Sequence, residues 1–571
     1  MILALDIETN LAHDVIWCCA VVTDDDSVVL EDTDISRSVL QGMIDLADIV
    51  IGHNLIEFDI PILEKLWNIR VPKHKVRDTI IMSRLWNPRI AGGHSLKAWG
   101  ARLEDAKIDF DVEDFDKGYT EEMGRYCVQD TALTLKLYQH LMEIMVDKSK
   151  FSVDCIELEH EVQWITAQMC RNGFKLDIEK ATELYQTLWA RMITAQDKLQ
   201  AIFPPITTKR VSEKTGKTLK DNVQVFNPGS RPQIAARLLS TGVKLTEYTP
   251  KTKEAITEAN GNTKKLAAIK YSYKIDETVL GAIHTKESKL LLDYFLCQKR
   301  TGQIDQWLSH IKDGRVHGKV YTNGAVTGRM THNSPNIAQV PAVTAPYGKE
   351  CRECWTVDEG NVLVGIDASG LELRMLAHYM NDPEYVKEIL EGDIHTANQL
   401  AAGLPTRDMA KTFIYAFLYG AGNEKIGSIV GRGSKTGANL KKKFLTNTPA
   451  LAKFIKEVKA AAAKGTVLAL DGRKVRVEED YIAPNSLLQS AGAIVMKKAL
   501  VIFVELLEQR GLPYRIVANV HDEWQVETPI AFAKAVGRLG CRAITLAGEH
   551  YELNCPLAGD YHAGSNWSET H

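Results

Sequence analysis

The N-terminal region contains four acids and a tyrosine whose spacing could support chemistry. In LALDIET, Asp6 and Glu8 stand two residues apart on a predicted strand, so both carboxylates leave the same face. Asp59, in GHNLIEFD, is predicted to open a helix. Tyr126 and Asp130, in YCVQD, are four residues apart and share a helix face. Three separate segments thus offer four carboxylates and one phenol.

These acids suit hard divalent cations, because Mg²⁺ and Mn²⁺ prefer anionic oxygen ligands. Two such ions about 3.5 to 4 Å apart would activate water and stabilise the leaving oxygen of an in-line displacement. The predicted chemistry is therefore phosphodiester hydrolysis. The alternative for any single acid is a strand-end cap or a solvated helix face. The order of the three segments, with His-Asn beside the second, favours a metal site.

A second group of candidate residues lies in the C-terminal half. Asp367 ends the predicted strand NVLVGID, and Asp522 in VHDE lies at the predicted tip of a hairpin, so the two acids could share two metal ions. In RDMAKTFIYAFLYG, Arg407, Lys411 and Tyr415 recur every four residues and share one helix face. The cations would bind a triphosphate, and the ring would stack on a nucleotide. This segment is too apolar for a solvated helix face.

The hydrophobic pattern predicts the elements that position these residues. Residues 1 to about 145 alternate short apolar strands with helices, which is typical of an α/β domain. From about 151 to 300 the pattern is helical, apart from the polar segment TTKRVSEKTGKTLKDN, which we predict to be a loop. A glycine-rich stretch after 300 leads into NVLVGID and then into helices up to about 465. A helix and a hairpin follow.

Length and composition indicate a folded protein of several structural units. The chain has 571 residues, which is more than one hydrophobic core usually supports. Of these residues, 45% are hydrophobic and 25% are charged, as in an average folded protein. The net charge of −4 leaves nucleic-acid binding open, because a local basic groove can be hidden in the sum. The CxxC of Cys351 and Cys354 lacks the second pair that a closed zinc site needs.

Two further patterns bear on location. The chain starts with MILALDIETN, whose acids do not fit a signal peptide, and its ten cysteines show no regular framework. The longest apolar run, AGAIVMKKALVIFV, is interrupted by Lys497 and Lys498 and falls short of a membrane span. We therefore expect a protein of a reducing cytoplasm without a membrane partner.

The three N-terminal segments resemble the DIE, HNxxxFD and YxxxD signatures of the DEDDy 3′→5′ exonucleases, the proofreading domains of replicative polymerases. The segment HSLKAWGARLED between the second and third signatures strengthens the match. The resemblance implies that Asp6, Glu8, Asp59 and Asp130 hold two metal ions and that Tyr126 orients the attacking water. Since all four acids are present, we predict an active exonuclease.

The C-terminal segments DASGLELR, GDIHT, LPTRDMAKTFIYAFLYGAG, LLQSAGA and HDE resemble those of family A, or polymerase I-like, DNA polymerases. They are most similar to the replicative enzymes of short-tailed bacteriophages. The resemblance implies an α/β and α+β multidomain fold, with an RNase H-like exonuclease domain followed by a right-hand polymerase. The implied ranges are 1–150 for the exonuclease, 151–300 for the thumb and connecting helices, 301–379 for the palm, 380–484 for the fingers and 485–571 for the second part of the palm.

The resemblance also assigns roles in the polymerase half. It implies that Asp367, Asp522 and the carbonyl of Ala368 are metal ligands, and that Glu372 and Tyr419 exclude a ribose 2′-hydroxyl. The hydroxyl of Tyr415 would replace the hydrogen bond of the nucleotide 3′-hydroxyl, so dideoxynucleotides should be incorporated readily. The implied nucleotide-binding residues are His395, Arg407, Lys411, Tyr415, Tyr419 and Glu372. The implied minor-groove contacts are Arg329, Gln489 and His521.

The predicted function is template-directed DNA synthesis with proofreading in phage DNA replication. The alternatives are a repair polymerase, a single-subunit RNA polymerase and a catalytically silent DNA-binding scaffold. An RNA polymerase would lack a proofreading domain, and Glu372 favours deoxyribonucleotides. The exonuclease acids, and the absence of a 5′-nuclease segment, argue against repair. A scaffold would have lost at least one of the six metal-binding acids.

The predicted partners are primer-template DNA and deoxynucleoside triphosphates, with two Mg²⁺ ions per active site and Mn²⁺ as a substitute. A phage helicase-primase is implied by the family alone. The best-known phage members insert a long basic loop ahead of a segment like VFNPGSR and bind host thioredoxin with it. Here only residues 207–224 separate FPPI from VFNPGSR. We therefore expect no thioredoxin partner, and we expect action in the cytoplasm of a bacterial host.

Overall fold

The computed structural model describes residues 1–105, 110, 115–211, 216 and 218–570. The chain packs as two compact units. Unit 1 comprises Met1–Phe174, His317–Gln339 and Val357–His571, and unit 2 comprises Lys175–Val316 and Val340–Thr356. The five predicted domain ranges are finer than these units and stay predictions, and residues 151–174 of the predicted thumb range belong to unit 1.

The N-terminal part of unit 1 is a five-stranded mixed sheet covered by helices. Its strands are β1 Ile2–Thr9, β2 Ile16–Val22, β3 Ser27–Glu31, β4 Ile49–Gly52 and β5 Val76–Asp78. Its helices are α1 Asp34–Leu46, α2 Asp59–Ile62, α3 Thr79–Trp86, α4 Leu96–Arg102, α5 Glu121–Met142 and α6 Val153–Asn172. The sheet order is β3-β2-β1-β4-β5, with β1 antiparallel to β2 and parallel to β4. Because β1 is the central strand, its apolar side chains Leu3, Leu5 and Ile7 are buried.

Helix α6 contributes to the hydrophobic cores of both parts of unit 1. Ala167 and Trp164 pack into the core of the N-terminal sheet. Leu158, Val162 and Met169 pack into the core of the C-terminal part. Ser152 starts the helix, because its side chain accepts a hydrogen bond from the Asp154 N–H. Both parts of unit 1 therefore pack against this one helix.

Unit 2 is largely helical. Its first strands are β6 Phe174–Leu176, β7 Ile206–Val211, β8 Thr218–Gln224, β9 Ile311–Lys312 and β10 Arg315–Val316. Its first helices are α7 Ile178–Ile202, α8 Arg231–Ser240, α9 Pro250–Ala259, α10 Thr263–Ala268, α11 Glu277–Gly281 and α12 Lys286–Ser309. The next strands, β11 Lys319–Tyr321 and β12 Thr331–Asn333, belong to unit 1. The last elements of unit 2 are α13 Gly348–Glu353 and β13 Trp355–Thr356.

The prediction of a loop at TTKRVSEKTGKTLKDN is wrong. Its described residues belong to the antiparallel hairpin of β7 and β8. The segment contains β-branched residues such as Thr207, Thr208 and Thr218, which favour extended backbone without an apolar face. Residues 212–215 and 217 of this segment lie outside the described residues.

Elsewhere in unit 2, Cys351 and Cys354 are buried, and burial raises the pKa of each thiol to about 12. Among the described residues, neither joins a cluster of metal-ligating side chains.

The C-terminal part of unit 1 is built on a four-stranded antiparallel sheet. The strands of this sheet are β14 Asn361–Ala368, β17 Arg515–Val520, β18 Glu523–Pro529 and β19 Gly559–Gly564. A separate hairpin consists of β15 Thr466–Leu468 and β16 Lys474–Arg476. The helices of this part are α14 Leu371–Met380, α15 Pro383–Leu390, α16 Ile394–Ala402, α17 Arg407–Leu418, α18 Asn423–Ser428, α19 Ser434–Asn447, α20 Pro449–Ala462, α21 Ala483–Gln509 and α22 Ala533–His550. The sheet order is β17-β18-β14-β19. Helix α22 lies so close to the sheet that a Cβ at Gly540 would be 2.5 Å from Ile366.

Helix α21 is the most apolar helix of this part. With the turn before it, the stretch Asp480–Gln509 is long and apolar enough to cross a membrane. However, 78% of its most apolar 18-residue window is buried inside the protein. This burial is typical of a core helix, and it includes Lys497, one of the two lysines that interrupt the apolar run.

Candidate active sites

Three of the four N-terminal acids meet beside the central strand β1. The ligand atoms of Asp6, Glu8 and Cys127 all lie within 4.8 Å of one another. Asp59, the first residue of α2, is 2% exposed and accepts a hydrogen bond from the Ile7 N–H at 3.3 Å. The structure therefore brings Asp6, Glu8 and Asp59 together.

The fourth acid and the tyrosine lie on α5, which packs against β1. Cys127 donates its thiol to the backbone oxygen of Asp6 at 3.5 Å. Asp130 follows one turn later and is 3% exposed, and the Tyr126 ring packs 5.3 Å from that of Phe110. Cys127 was missed by the sequence analysis, although its place in YCVQD, beside Tyr126, could have indicated that it lies near the acids.

The electrostatics of this N-terminal site fit a cation. Burial raises the pKa of Asp59 well above its usual range, and the neighbouring charge of Asp6 raises it further. A divalent cation would offset this repulsion, and the carboxylates supply the oxygen donors that it prefers. The donor set therefore fits the predicted metal pair.

A buried network holds the segment that leads to Asp59. The Asp78 carboxylate accepts hydrogen bonds from the N–H groups of Asn54, Ile56 and Ile80 at 2.9, 3.2 and 3.1 Å. Its own N–H donates to Nε2 of His160 on α6 at 2.7 Å. Burial raises the pKa of Asp78 to about 6 and lowers that of His160 to about 4. Helix α6 thus supports the geometry of the N-terminal site.

The two acids of the C-terminal half lie at neighbouring strand ends. Asp367 is opposite Glu523 in the β14–β18 pairing, and the Ala368 N–H donates to the backbone oxygen of Asp522 at 3.2 Å. The Asp367 side chain reaches solvent, yet surrounding protein and the charge of Asp522 raise its pKa to about 7. Burial, and then the charge of Glu372, raise the pKa of Asp522 to about 6. This crowding of carboxylates also fits bound divalent cations.

The predicted cationic face on α17 is present. Arg407, Lys411 and Tyr415 lie on that helix, and the ring of His395 is 6.3 Å from that of Tyr415. Arg407 forms a two-pronged ion pair with Asp393, at 2.6 Å from Nε and 3.1 Å from Nη2. These hydrogen bonds hold the pKa of Asp393 well below its usual range. The role of Asp393 was missed, although it lies in GDIHT and is the residue type that caps a helix.

The predicted pair at the nucleotide sugar is in contact. The Tyr419 hydroxyl donates to Oε1 of Glu372 at 2.8 Å. Although Tyr419 is partly exposed to solvent, the surrounding protein and this bond raise its pKa to about 12. Nη2 of Arg329 lies 3.5 Å from the same Glu372 oxygen. Burial, and then the charge of Glu372, also raise the pKa of Tyr415. Glu372 therefore contacts both Tyr419, a predicted nucleotide-binding residue, and Arg329, a predicted minor-groove residue.

Two of the three predicted minor-groove residues share a cleft. Arg329, His521 and Asp522 line about 440 Å³ of open space. His521 is exposed to solvent on one side, yet the surrounding protein, and then the charge of Arg329, lower its pKa. Gln489 is not part of this lining, and its amide donates to Asn485 one turn earlier in α21 at 3.0 Å. The structure thus groups Arg329 and His521 but does not place Gln489 with them.

The chain is similar in sequence to known proteins over nearly its whole length. A profile described as DNA polymerase family A matches residues 207–569. The DNA-directed DNA polymerases of Enterobacteria phage T3 and Escherichia phage T7 are each 32% identical to the chain, over 93% of its length and 94% of theirs. The chain belongs to DNA polymerase family A. The alignments extend over 682 and 683 positions, so both relatives contain segments without a counterpart in this polymerase.

A solved structure agrees with this polymerase in fold. The chain is similar to the POL domain of Pol1 from M. smegmatis, in complex with DNA primer-template and dNTP, with a TM-score of 0.80 and 18% identity. The match covers 99% of the chain and 96% of that domain. The predicted multidomain α/β and α+β fold is confirmed. The family excludes the alternative of a single-subunit RNA polymerase.

Proposed function

We propose that the chain is a DNA-directed DNA polymerase of phage replication that also removes nucleotides from DNA 3′ ends. The single observation that carries the polymerase activity is the position of Asp367 and Asp522 at adjoining strand ends. The T3 and T7 relatives are phage enzymes and match over almost their full length, which favours replication over repair.

In nucleotide addition, Asp367 and Asp522 hold the divalent cations that family A polymerases use, and Mg²⁺ suits their oxygen donors. When bound, such ions neutralise charge at the reacting phosphate. Arg407 and Lys411 are exposed on α17, where they bind the triphosphate as charge moves onto the leaving pyrophosphate. Tyr415 stacks on the incoming nucleotide.

Sugar selection rests on the Tyr419–Glu372 hydrogen bond. Oε1 of Glu372 contacts both Tyr419 and Arg329, and these contacts hold the side chain in one orientation. A ribonucleotide would then bring its 2′-hydroxyl against the Tyr419 side of this pair. The pair of Glu372 and Tyr419 would then exclude a ribonucleotide by steric contact.

In nucleotide removal, Asp6, Glu8, Asp59 and Asp130 supply the metal ligands of the second site. Bound cations would supply the Lewis acidity that phosphodiester hydrolysis needs. Tyr126 lies on the same face of α5 as Asp130, from which its hydroxyl orients the attacking water. The grouping of Asp6, Glu8 and Asp59 supports this proposal.

We also propose that the polymerase works on primer-template DNA in the cytoplasm of a bacterial host, without thioredoxin and alongside a phage helicase-primase. The short interval between FPPI and VFNPGSR supports the proposal about thioredoxin. Product length per binding event, measured on a long primed single strand, should not change when bacterial thioredoxin is added. A large increase would contradict this expectation.

The experiment on both activities uses a labelled primed template, Mg²⁺ and four deoxynucleotides. Asp522→Ala should abolish extension and leave 3′ degradation intact, and Asp6→Ala should do the reverse. Exposed acids provide matched controls, and Glu64→Ala and Glu384→Ala should change neither activity. Extension that survives Asp522→Ala would remove the polymerase assignment, and degradation that survives Asp6→Ala would remove the exonuclease assignment. A silent scaffold would show neither activity in the unaltered protein.

A further inference from the structure

Adjacent residues on α6 contact both parts of unit 1. His160 accepts the Asp78 N–H of the N-terminal network. Glu159 is fully buried, and its Oε1 lies 2.6 Å from Nζ of Lys497 and 2.7 Å from Nη1 of Arg473. Both cations belong to the C-terminal part, Lys497 on α21 and Arg473 just before β16. No catalytic role proposed above involves Glu159.

The two cations complete a buried, charge-balanced cluster. Arg473 also forms hydrogen bonds of 2.5 to 2.9 Å with Asp471, so two acids face two cations. The amide oxygen of Asn323 accepts from Nη1 of Arg473 at 3.2 Å and from Nζ of Lys497 at 3.1 Å. Asn323 is 1% exposed. The cluster thus holds the start of the segment that leads to Arg329.

The same cluster supports the turn that carries Arg329. The Ala325 N–H donates to the Arg329 oxygen at 3.2 Å, and the Gly328 N–H donates to the Ala325 oxygen at 2.9 Å. Gly328 has φ +75°, and a Cβ there would be 2.9 Å from Nη1 of Arg473. The turn therefore packs closely against the Arg473 guanidinium. From it, Arg329 reaches Glu372 and the cleft beside Asp522.

Stability alone is a weak reason for such a cluster. A buried ion network is often no more stabilising than apolar side chains of similar volume, because each charge loses its hydration. Its fixed geometry, however, specifies one arrangement of the groups that it binds. Lys497 also lines the cleft that contains Arg329 and Asp522, so the network reaches the reaction site itself.

We propose that Glu159 is a positioning residue for the polymerase site. It fixes Lys497 and Arg473, which hold Asn323 and the turn from Ala325 to Arg329, and so it presents Arg329 to the newly formed base pair. This inference rests on the proposed role of Arg329 at the minor groove. Its neighbour His160 supports the exonuclease segment instead, which provides a matched control on the same helix.

The test compares extension from matched and mismatched primer ends in an Asp6→Ala background, so that degradation does not obscure the result. Arg329→Ala serves as the reference. Glu159→Gln should lower the ratio of matched to mismatched extension roughly tenfold, in the same direction as Arg329→Ala. In the protein with an intact exonuclease, Glu159→Gln should leave 3′ degradation unchanged. His160→Gln should weaken degradation and leave the ratio unchanged.

Because Glu159→Gln leaves a buried cation without its acid, a second variant separates positioning from folding. Glu159→Gln with Lys497→Met removes one charge of each sign and keeps the Arg473–Asp471 pair, so thermal stability should recover while the ratio stays low. A folded double variant with the parental ratio would overturn the inference. If Arg329→Ala itself keeps the parental ratio, the proposed role of Arg329 fails, and this inference fails with it.

Discussion

The two acid sites of this polymerase differ in how they are enclosed. The N-terminal acids lie beside a central strand, and Asp59 and Asp130 are almost fully buried. In the C-terminal site, Asp367 reaches solvent at a strand end, and the cationic face of α17 belongs to the same part of the chain. The N-terminal site groups acids with a buried cysteine and a tyrosine, whereas the C-terminal site combines acids with the groups that we propose to bind a nucleotide.

This difference matches what each reaction must recognise. Hydrolysis of any 3′-terminal nucleotide needs a metal-bound phosphate and water, so acids and one tyrosine suffice. Templated addition must also bind a triphosphate, test the sugar and test the new base pair. On the proposed roles, those three tasks belong to Arg407, Glu372 and Arg329 of the C-terminal site. The two sites should therefore respond differently to substitution.

The largest expected effect is the loss of one reaction when an acid of its site is neutralised. Asp59→Asn should reduce 3′ degradation by about a thousandfold or more, and Asp367→Asn should reduce extension by a similar factor, because each removes charge from a metal ligand. Single-turnover rates of both reactions, measured for both variants, check this expectation. If either variant reduced both rates equally, the division into two independent sites would be contradicted.

The second prediction concerns a nucleotide-binding group that the N-terminal site does not have. Tyr415→Phe should lower the use of dideoxynucleotides relative to deoxynucleotides by roughly ten- to a hundredfold, because the phenol would no longer replace the 3′-hydroxyl bond. Single-nucleotide insertion kinetics provide the ratio, and 3′ degradation should stay unchanged. Equal ratios for the two proteins would refute this role of the hydroxyl.

The third prediction tests the ion pair of Arg407. Asp393→Asn keeps a side chain that caps α16 but removes its charge, so Arg407 loses its fixed orientation while the helix start is retained. We expect KM for deoxynucleotides to rise about tenfold with a smaller change in kcat. Asp382→Asn, at the equivalent cap of α15, is the matched control and should leave KM unchanged. A lower KM for Asp393→Asn would indicate that Asp393 competes with the triphosphate.

The smallest effect concerns the pH dependence of stability through His160. Its pKa is lowered to about 4 by burial, so the folded state favours the neutral ring that accepts the Asp78 N–H. This preference stabilises the fold fully above about pH 6.5, the usual pKa, and the stabilisation decreases as the pH falls towards 4. His160→Gln should therefore flatten the fall in melting temperature between pH 6.5 and 4. An unchanged slope would show that other groups dominate acid unfolding.

Strand and helix periodicity predicted which of the proposed catalytic side chains share a face, because it fixes the direction of each side chain along its element. Asp6 with Glu8, and Arg407 with Lys411, are local patterns of this kind. The pairing of Arg407 with Asp393, or of Glu159 with Lys497, joins residues that lie on different elements, so no local pattern reveals it. The hairpin of β7 and β8 was missed because a polar hairpin lacks the alternation that marks a half-buried strand.

The sharing of α6 between two cores affects how the activities can be separated. A chain cut at the predicted boundary near residue 150 would keep α6 but lose the sheet against which Trp164 and Ala167 pack. That cut would expose an apolar stripe and leave His160 without Asp78, while Glu159 stayed in the polymerase cluster. The N-terminal region, which we propose to be the exonuclease, is therefore not separable at this boundary. Exchange of this region between relatives would have to carry the matching face of α6 with it.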